Sequence, residues 1–236
     1  MKSNSTHNFG DKQYYYQHIY SKMIGNQATG ILSILWQYPH KLMEKKFKSN
    51  KLLKILEVGY GQGEHMSFVA KDFATYNAID ISSSQVALTA LEVGSSFEYQ
   101  LMNAEDLKFS SSYFDRLIAT CLIVHLNDPE KALREWRRVL KPGATATIYV
   151  ALEPSLALRI FRIMFTSRKA KKLGFEGYKL FIARDHINYA SGVMELIHEV
   201  FKEDSISKRY RPLPLPFWYI NLFCIVDIKI NPKQGA

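Results

Sequence analysis

Short apolar runs of strand length recur along this chain and alternate with longer segments whose apolar positions have helical spacing. The strands are predicted at residues 54–58, 76–81, 97–102, 114–120, 145–152, 205–211 and 222–230. The helices are predicted at residues 13–24, 28–47, 64–73, 129–140 and 193–201, with one more that Ser82 or Ser83 caps and that runs through Leu91. This alternation predicts an α/β domain whose seven-stranded, mostly parallel sheet has helices on both faces.

Residues 153–192 interrupt the alternation. They combine an apolar stretch at 156–165 with a basic group that comprises Arg168, Lys169, Lys171 and Lys172. Because this insertion follows the fifth strand, it lies at the carboxyl edge of the sheet, where such folds bind their ligands. We therefore expect a helical substrate lid. A basic amphipathic helix resting on a membrane face and a helix that packs on its own domain are the alternatives.

A glycine-rich turn follows the first predicted strand. It reads Glu57-Val58-Gly59-Tyr60-Gly61-Gln62-Gly63, and Asp80 follows near the end of the second strand. The glycines allow a sharp turn and a close approach of a ligand, and Asp80 stands where a carboxylate can accept from both ribose hydroxyls. A dinucleotide site has a third glycine where this chain has Glu64, beside the helix end that receives a pyrophosphate. Glu57 and Glu64 therefore favour a nucleoside cofactor that carries a cationic amine.

Three further segments continue in order after this turn. They are Asn103-Ala104-Glu105-Asp106-Leu107-Lys108-Phe109, Ser112-Tyr113-Phe114-Asp115-Arg116-Leu117-Ile118, and the stretch from His125 to Gly143. Together the four resemble the motifs of small-molecule class I S-adenosylmethionine-dependent methyltransferases, over about residues 50–150. Asn103 and Ala144 depart from the family pattern, which has an aspartate facing adenine and a second glycine at these positions.

The resemblance implies a Rossmann-like fold whose last strand is antiparallel. It also implies S-adenosyl-L-methionine as cofactor and S-adenosyl-L-homocysteine as product. The residues that it places at the cofactor are Glu57, Gly59, Tyr60, Gly61, Gly63, Asp80, Ile81, Asn103, Ala104, Glu105 and Thr120. The asparagine can still accept from the adenine amino group through its carbonyl oxygen.

Candidates for the methionine end of the cofactor and for catalysis lie partly outside these motifs. In relatives an N-terminal helix closes over the cofactor, and Tyr14 and Tyr20 are the candidates here because an electron-rich ring suits a sulfonium. Transfer of the methyl group needs an aligned nucleophile and, for a hydroxyl acceptor, a base. His125, after the fourth strand, is the candidate base, with a role in shaping the pocket as the alternative. His186 is the second candidate, oriented by Asp185, unless these residues only start a helix.

The uneven charge narrows the choice of partners. Residues 51–150 carry 10 Lys and Arg against 12 Asp and Glu, so the surplus behind the net charge of +9 lies in the flanking segments. This surplus favours an acidic metabolite, an anionic membrane face or nucleic acid. The chain lacks, after the fourth strand, the Asn-Pro-Pro-Tyr-like segment of enzymes that methylate nucleic-acid bases. The scattered histidines and the separate Cys121 and Cys224 predict no metal site and a reducing compartment.

We expect a single domain, monomeric or homodimeric, with a helical cap (1–50), a cofactor-binding core (51–152), the lid (153–192) and the rest of the sheet (193–236). The N-terminal residues lack the pattern of a secretory signal, and no run reaches the ~18 apolar residues of a membrane span, which predicts a cytoplasmic protein. The predicted function is methyl transfer to a hydroxyl or amine of a small metabolite, such as an anionic sugar, natural-product or lipid precursor. An RNA or tRNA methyltransferase is the alternative, and a non-catalytic binding module is a third class without supporting residues.

Overall fold

A central sheet organises the structure, a computed structural model that describes residues 10–23, 30–47, 49, 52–82 and 96–232. Its strands are β1 (Lys54–Val58), β2 (Thr75–Asp80), β3 (Phe97–Leu101), β4 (Phe114–Thr120), β5 (Leu140–Ala151), β6 (Ser205–Arg211) and β7 (Phe223–Lys229). Within the described ranges these seven strands have the order β3-β2-β1-β4-β5-β7-β6. Strand β7 is antiparallel to β5 and β6, and the other neighbours are parallel. The predicted Rossmann-like class and the antiparallel last strand are confirmed.

Helices cover both faces of the sheet. They are α1 (Lys12–Tyr14), α2 (Tyr20–Met23), α3 (Ile31–Glu44), α4 (Pro129–Val139), α5 (Leu156–Phe161), α6 (Ser167–Lys172), α7 (Tyr178–Asp185) and α8 (Ala190–Val200). Helical turns of π type, at Tyr15–Ile19 and Arg162–Thr166, join α1 to α2 and α5 to α6, and short 3-10 helices lie at His65–Phe68, Ile123–His125 and Trp218–Ile220. Because successive strand residues point to opposite faces, Leu56 and Val58 pack with α4 and α8, while Ile55 packs with α3.

The N-terminal arm (residues 12–23) packs on the lid. Their shared apolar cluster comprises Tyr15, Ile19 and Met23 of the arm and Ala170, Phe175, Tyr178 and Phe181 of the lid. The rings of Tyr15 and Phe181 have centroids only 4.2 Å apart. The amide of Gly10 also donates to the carbonyl of Glu176 at 3.0 Å. The arm and the lid therefore form one packed layer, although residues 24–152 lie between them in the sequence.

The helix predicted at residues 64–73 is wrong. Only His65–Phe68 is helical, as a 3-10 helix, and Val69 is extended. The Ser67 hydroxyl donates to the carbonyl of Glu64 at 2.8 Å, and such a side-chain bond competes with the backbone bonds of a helix. The His65 ring is also held by Glu44 of α3 at 2.9 Å. These contacts favour a tight turn over a longer helix.

The helix predicted at residues 129–140 ends one residue early, and the fifth strand starts before the predicted residue 145. Helix α4 ends at Val139 and β5 starts at Leu140, so Lys141-Pro142-Gly143 lies inside a strand. The pairing of β5 with β4 shifts register between Phe114 and Arg116, and Gly143 takes a φ of 80°. A bulge therefore accommodates the proline and the glycine within the sheet. The helix predicted from Ser82 or Ser83 through Leu91 lies outside the described residues.

Candidate functional site

The glycine-rich turn leaves β1 and folds back on β2, where the amide of Gly59 donates to the carbonyl of Ile79 at 2.9 Å. Gly59, Gly61 and Gly63 have φ values of 71°, 58° and 78°, a region that favours glycine. A Cβ at Gly59 would lie 2.8 Å from the side chain of Leu122, whereas a Cβ at Gly61 would meet nothing closer than 3.7 Å. The space beside Gly61 is therefore open to a ligand.

Tyr60 fills the inside of the turn. Its side chain is buried and packs on Phe97 and Tyr99, with ring centroids 5.6 and 6.0 Å away. A Cβ at Gly63 would lie 2.5 Å from the Tyr60 hydroxyl oxygen, so this glycine makes room for the ring. The predicted contact of Tyr60 with the cofactor is consequently limited to its backbone.

Asp80 ends β2 with its carboxylate held against the turn. The amide of Gly61 donates to Oδ2 at 2.9 Å, and the amide of Ser82 donates to Oδ1 at 3.0 Å. Each oxygen keeps a further lone pair, so ribose hydroxyls can still donate to Asp80. The next side chain, Ile81, is 81% exposed. Both residues therefore stand at the open edge of the turn, where the motif resemblance places a nucleoside.

The carboxyl groups that flank the turn are more buried than the sequence indicates. Glu57 is fully buried and accepts from the Tyr76 hydroxyl at 2.5 Å, and burial raises its pKa to about 8. Burial, reinforced by Asp80, raises the pKa of Glu64 to about 7. One oxygen of each, Oε1, has no hydrogen-bond partner among the described residues. Buried groups of this kind need a partner, and a cofactor that brings an ammonium group would supply one.

The second predicted cofactor segment, around Asn103, also serves the protein itself. The side-chain oxygen of Asn103 accepts from the amide of Glu105 at 2.9 Å, which leaves one lone pair and the amide group for a ligand. Oε1 of Glu105 accepts from the amides of residues 127–128 at 2.8 and 3.0 Å, so this atom secures the start of α4 rather than a cofactor. Ala104 is buried, and Thr120 is half-buried at the end of β4.

The two predicted tyrosines of the N-terminal arm have different surroundings. Tyr14 stacks on Phe175 of the lid at a centroid distance of 6.4 Å, so its ring is part of the contact between arm and lid. Burial, together with the carboxyl groups of Glu64 and Asp80, raises the pKa of Tyr20. Of the two tyrosines, Tyr20 is therefore the one that lies near the carboxyl groups of Glu64 and Asp80.

Asp185, the last residue of α7, is the centre of a polar cluster beyond the end of β4. Its carboxylate forms ion pairs with Nζ of Lys12 at 2.6 Å and with Nδ1 of His125 at 3.0 Å, and it accepts from the hydroxyl of Tyr16 at 2.7 Å. The same Nδ1 also lies 2.9 Å from the backbone carbonyl oxygen of Asp185. Burial alone would lower the pKa of His125, but hydrogen bonds to Asp185 and Cys121 raise it to about 10. At neutral pH His125 is therefore an imidazolium ion paired with a carboxylate.

His186 forms a second pair with a carboxylate. Its Nδ1 lies 2.6 Å from Oε1 of Glu153, which Arg162 also binds. The rings of His125 and His186 meet edge to face, with centroids 4.7 Å apart. Burial and the nearby charges of His125 and Arg162 lower the pKa of His186, so His186 is neutral at neutral pH. Its Nδ1–H then donates to Glu153, and Nε2 carries the lone pair.

The position of Asp185 corrects two expectations. Asp185 binds His125 and not His186, whose partner is Glu153. The residues around it do not start a helix, because α7 ends at Asp185. Asp185 and His186, although adjacent in the chain, therefore enter different pairs.

The same cluster has the spacing of a metal site. Ligand atoms of His125, Asp185 and His186 lie within 4.8 Å of one another. However, Lys12 already binds Asp185, and Nη2 of Arg162 lies 3.3 Å from Nδ1 of His186. Because the cluster carries its own cations, its arrangement favours proton transfer over metal binding, and the predicted lack of a metal site stays a prediction.

Comparison with known proteins assigns the family. The family described as a methyltransferase domain matches residues 56–148. The ubiquinone biosynthesis O-methyltransferase of Pseudomonas entomophila (strain L48) is 30% identical over 186 residues, which are 75% of this chain and 75% of that protein. The chain belongs to the class I S-adenosylmethionine-dependent methyltransferases.

Two further proteins are similar to this methyltransferase over a shorter segment or in the fold alone. The O-methyltransferase resE of Aspergillus sclerotiorum is 34% identical over 100 residues, so the match covers 40% of this chain and only 38% of that relative. The structure of the N-methyltransferase NodS from Bradyrhizobium japonicum WM9 in complex with S-adenosyl-L-homocysteine has a TM-score of 0.55 at 12% identity. It covers 84% of this chain and 88% of NodS.

The geometry fits the cofactor that this methyltransferase family uses. The open space at Gly61, the remaining lone pairs of Asp80 and the unsatisfied oxygens of Glu57 and Glu64 would hold a nucleoside with an ammonium group. The sequence did not point to Lys12, Tyr16 or Glu153. Lys12 and Tyr16 are four residues apart and share one helical side, but only the contact between arm and lid brings them to Asp185.

Proposed function

We propose that this methyltransferase transfers the methyl group of S-adenosylmethionine to a hydroxyl of a small acceptor that binds beside His125 and His186. The proposal rests on these two imidazoles, 4.7 Å apart and in different protonation states, beyond the end of β4. The names of the Pseudomonas and Aspergillus relatives, both O-methyltransferases, support oxygen as the accepting atom.

The two histidines divide the work of activating a hydroxyl. The cofactor, when bound, supplies a methyl group on a positively charged sulfur that leaves as a neutral thioether. The imidazolium of His125, held by Asp185, donates a hydrogen bond to the acceptor oxygen and so lowers the pKa of that hydroxyl. His186 accepts the proton of the hydroxyl at Nε2, while its Nδ1–H remains hydrogen-bonded to Glu153. Neighbouring groups whose pKa values are pushed apart suit such separate acid and base roles.

Release of S-adenosylhomocysteine with sets of small phenols and alcohols, and with matched amines, tests this function. We expect turnover with hydroxyl acceptors. His125→Gln and His186→Gln should each lower kcat about a hundredfold, since positioned acid–base groups contribute about 10²–10⁴, while cofactor affinity is retained. His198→Gln is the matched control because His198 is exposed on α8. Turnover only with amines, or unchanged kcat in both variants, would refute the proposal.

We also propose that the lid contacts an anionic membrane face. The exposed large apolar side chains of α5 and of the π-type turn after it, which are 48–59% accessible, are Leu156, Ile160, Ile163 and Met164. A second exposed apolar group comprises Leu213, Leu215, Phe217, Trp218 and Tyr219, and α5 contacts the 3-10 helix Trp218–Ile220 so that the two groups adjoin. Patches of this kind mark interaction surfaces. Arg168, Lys171 and Lys172 are exposed on the same lid, and each basic residue contributes about 1 kcal/mol near an anionic leaflet.

Every helix within the described ranges is too short or too polar to cross a bilayer, so the test concerns surface contact. Sedimentation with phosphatidylcholine vesicles, with and without phosphatidylglycerol, should show binding only when the anionic lipid is present. The double substitution Ile160→Ser and Ile163→Ser should abolish it. Leu101→Ser, at an exposed position on β3, is the control. Binding of tRNA in place of vesicles would contradict the membrane proposal and favour the nucleic-acid alternative.

A further inference from the structure

A surface cleft lies between the sheet and the residues that follow α3, at the amino end of β5. Its volume is about 370 Å³, and small-molecule sites in proteins occupy about 300–1,000 Å³. The cofactor turn and the two histidine pairs lie at the carboxyl ends of the strands. Thr145 at the cleft and Ala151 at the end of β5 are six residues apart, which corresponds to about 20 Å along the strand. The cleft is therefore separate from the site proposed for methyl transfer.

One row of side chains on the floor of this cleft consists of hydrogen-bond donors. Lys229 of β7 pairs with Thr145 of β5 on one side and with Ser205 of β6 on the other, and all three line the cleft. Side chains that are opposite in neighbouring strands lie about 5 Å apart, so an ammonium group stands between two hydroxyls. The ammonium donates to the carbonyl of Gly143 and has two further N–H groups. The Ser205 hydroxyl donates to Asn231 over a long 3.3 Å, a bond that a better acceptor can replace.

Asp227, two residues earlier in β7, offsets only part of the positive charge. Its carboxylate is buried and accepts from Nζ of Lys46 at 2.9 Å, from Nε of Arg209 at 3.0 Å and from the Thr147 hydroxyl at 3.2 Å. Among the described residues that line the cleft or bind Asp227, the cations Lys46, Arg209 and Lys229 thus face one carboxylate. The cluster keeps a surplus of two positive charges. These cations belong to the two basic flanking segments of the sequence, which the fold brings together here.

Phe47 gives the cleft an apolar wall. Its ring rests on the guanidinium group of Arg116, whose Cζ lies 3.5 Å from the ring centroid. Arg116 is fully buried and bound to Glu44, so the ring has a fixed support. An apolar surface beside a few placed donors is the composition of a site for a small organic ligand. The wall therefore favours a ligand with a carbon skeleton over a bare ion.

We propose that this cleft binds the phosphate monoester group of a small ligand. Such a group carries about −1.5 to −2 charges at neutral pH, which matches the surplus, whereas a carboxylate or a phosphodiester carries one. Nζ of Lys46 and Nζ of Lys229 donate to the phosphate. The hydroxyls of Thr145 and Ser207, which both line the cleft, donate to its remaining oxygens. The carbon part of the ligand packs on Phe47. Because the cleft lies at the opposite edge of the sheet from His125, this ligand is not the methyl acceptor.

Calorimetric titration with glucose 6-phosphate, glucose and inorganic phosphate tests the assignment. We expect glucose 6-phosphate to bind more tightly than inorganic phosphate, because its sugar ring reaches Phe47, and glucose not to bind. Lys46→Gln and Lys229→Gln should each weaken glucose 6-phosphate about tenfold or more, the effect of one lost charge-assisted hydrogen bond. Lys108→Gln removes the same charge at an exposed position outside the cleft and should leave the affinity unchanged. Amide chemical shifts should change at Thr145 and Lys229 when glucose 6-phosphate is added.

Each other outcome also decides the question. If vesicles that contain phosphatidic acid bind through Lys46 and Lys229 while glucose 6-phosphate does not bind, the phosphate monoester is that of a lipid. Equal affinity in the wild type and both cleft variants, or an equal loss in Lys108→Gln, would overturn the site, since general charge would then explain the attraction. Chemical shifts that change only around Gly61 or His125 would also overturn it, as would a wild type that binds no phosphate monoester. All these results are independent of methyl transfer, so the proposed function and this site can fail separately.

Discussion

The substitution Asp185→Asn removes the charge that keeps His125 protonated. The pKa of His125 is raised from 6.5 to about 10, and this rise corresponds to about 5 kcal/mol at ~1.4 kcal/mol per pKa unit. Hydrogen bonds to Asp185 and Cys121 produce it against the cost of burial. Because asparagine keeps the shape but not the charge, we expect the pKa of His125 to fall by about two units or more.

The same pair makes stability depend on pH with a defined sign. A histidine whose folded pKa is raised stabilises the fold fully below its unfolded value of 6.5 and loses that contribution as the pH rises through about 10. His125, Lys12 and Tyr16 lower the pKa of Asp185, against burial. Its contribution is therefore present above its unfolded value of 3.8 and is lost as the pH falls through the lower folded pKa. Both contributions are fully present between pH 3.8 and pH 6.5, so Asp185→Asn should destabilise the fold most in this range.

Nuclear magnetic resonance titration of the His125 Cε1–H signal measures the change directly, and the pH profile of kcat reports it in function. We expect the alkaline limb of that profile to move to lower pH in Asp185→Asn, since the imidazolium is lost earlier, while the acid limb set by His186 stays. Asp106→Asn, at a carboxylate paired on the surface with Lys108, is the control. A wild-type His125 that titrates near 6.5, or an alkaline limb that does not move, would refute the reasoning.

Three other substitutions test the packing around the site. Gly59→Ala should lower the free energy of unfolding by about 1–3 kcal/mol, because the new Cβ would lie 2.8 Å from Leu122. Gly30 has the same φ of 71° with no atom near its Cβ position, so Gly30→Ala should cost less. Equal losses in the two variants would exclude the clash with Leu122 as the cause. Arg116→Met should lower the free energy of unfolding in urea by about 3–5 kcal/mol, because it leaves Glu44 buried without its cation. Arg134→Met, at the exposed pair with Glu130, should lower it by under ~1 kcal/mol. Similar losses in the two variants would contradict this reasoning. Phe181→Ala should lower the free energy of unfolding by about 3–5 kcal/mol and speed hydrogen exchange in the N-terminal arm, because Phe181 packs on the arm. Phe217→Ala, at an exposed position, should change neither quantity. If the arm stayed protected from exchange in Phe181→Ala, its order would not depend on the lid.

The strands that bear the site could be read from the sequence. The bounds of β1, β4 and β6 are those predicted. β1 and β4 are largely apolar runs, whereas β6 has only Ile206 and Tyr210 among polar residues. The glycine-rich turn and Asp80 were also predictable, since backbone freedom and a strand-end carboxylate are local properties. Local patterns therefore place the cofactor turn at the edge of the sheet.

Interactions between distant segments could not be predicted in the same way. The apolar spacing of Met66, Val69 and Phe73 is helical, yet the bond from His65 to Glu44 of α3 favours a short turn. Asp185 lies next to His186 in the sequence but binds His125, 60 residues away. The protonation of Glu57 could not be predicted either. Burial raises its pKa, and nothing in its immediate sequence shows that Tyr76 and the sheet surround it.

Asp185 and His186 are adjacent at the end of α7, so this one helix terminus bears on the positions of both imidazoles. Asp185 holds one ring and His186 is the other, and one peptide unit links them. A substitution that displaces the end of α7 should therefore disturb both pairs, the one between Asp185 and His125 and the one between His186 and Glu153. In the proposed reaction, the residue that holds the proton donor and the residue that accepts the proton are thus consecutive in the chain, although the two imidazoles come from different elements of the fold.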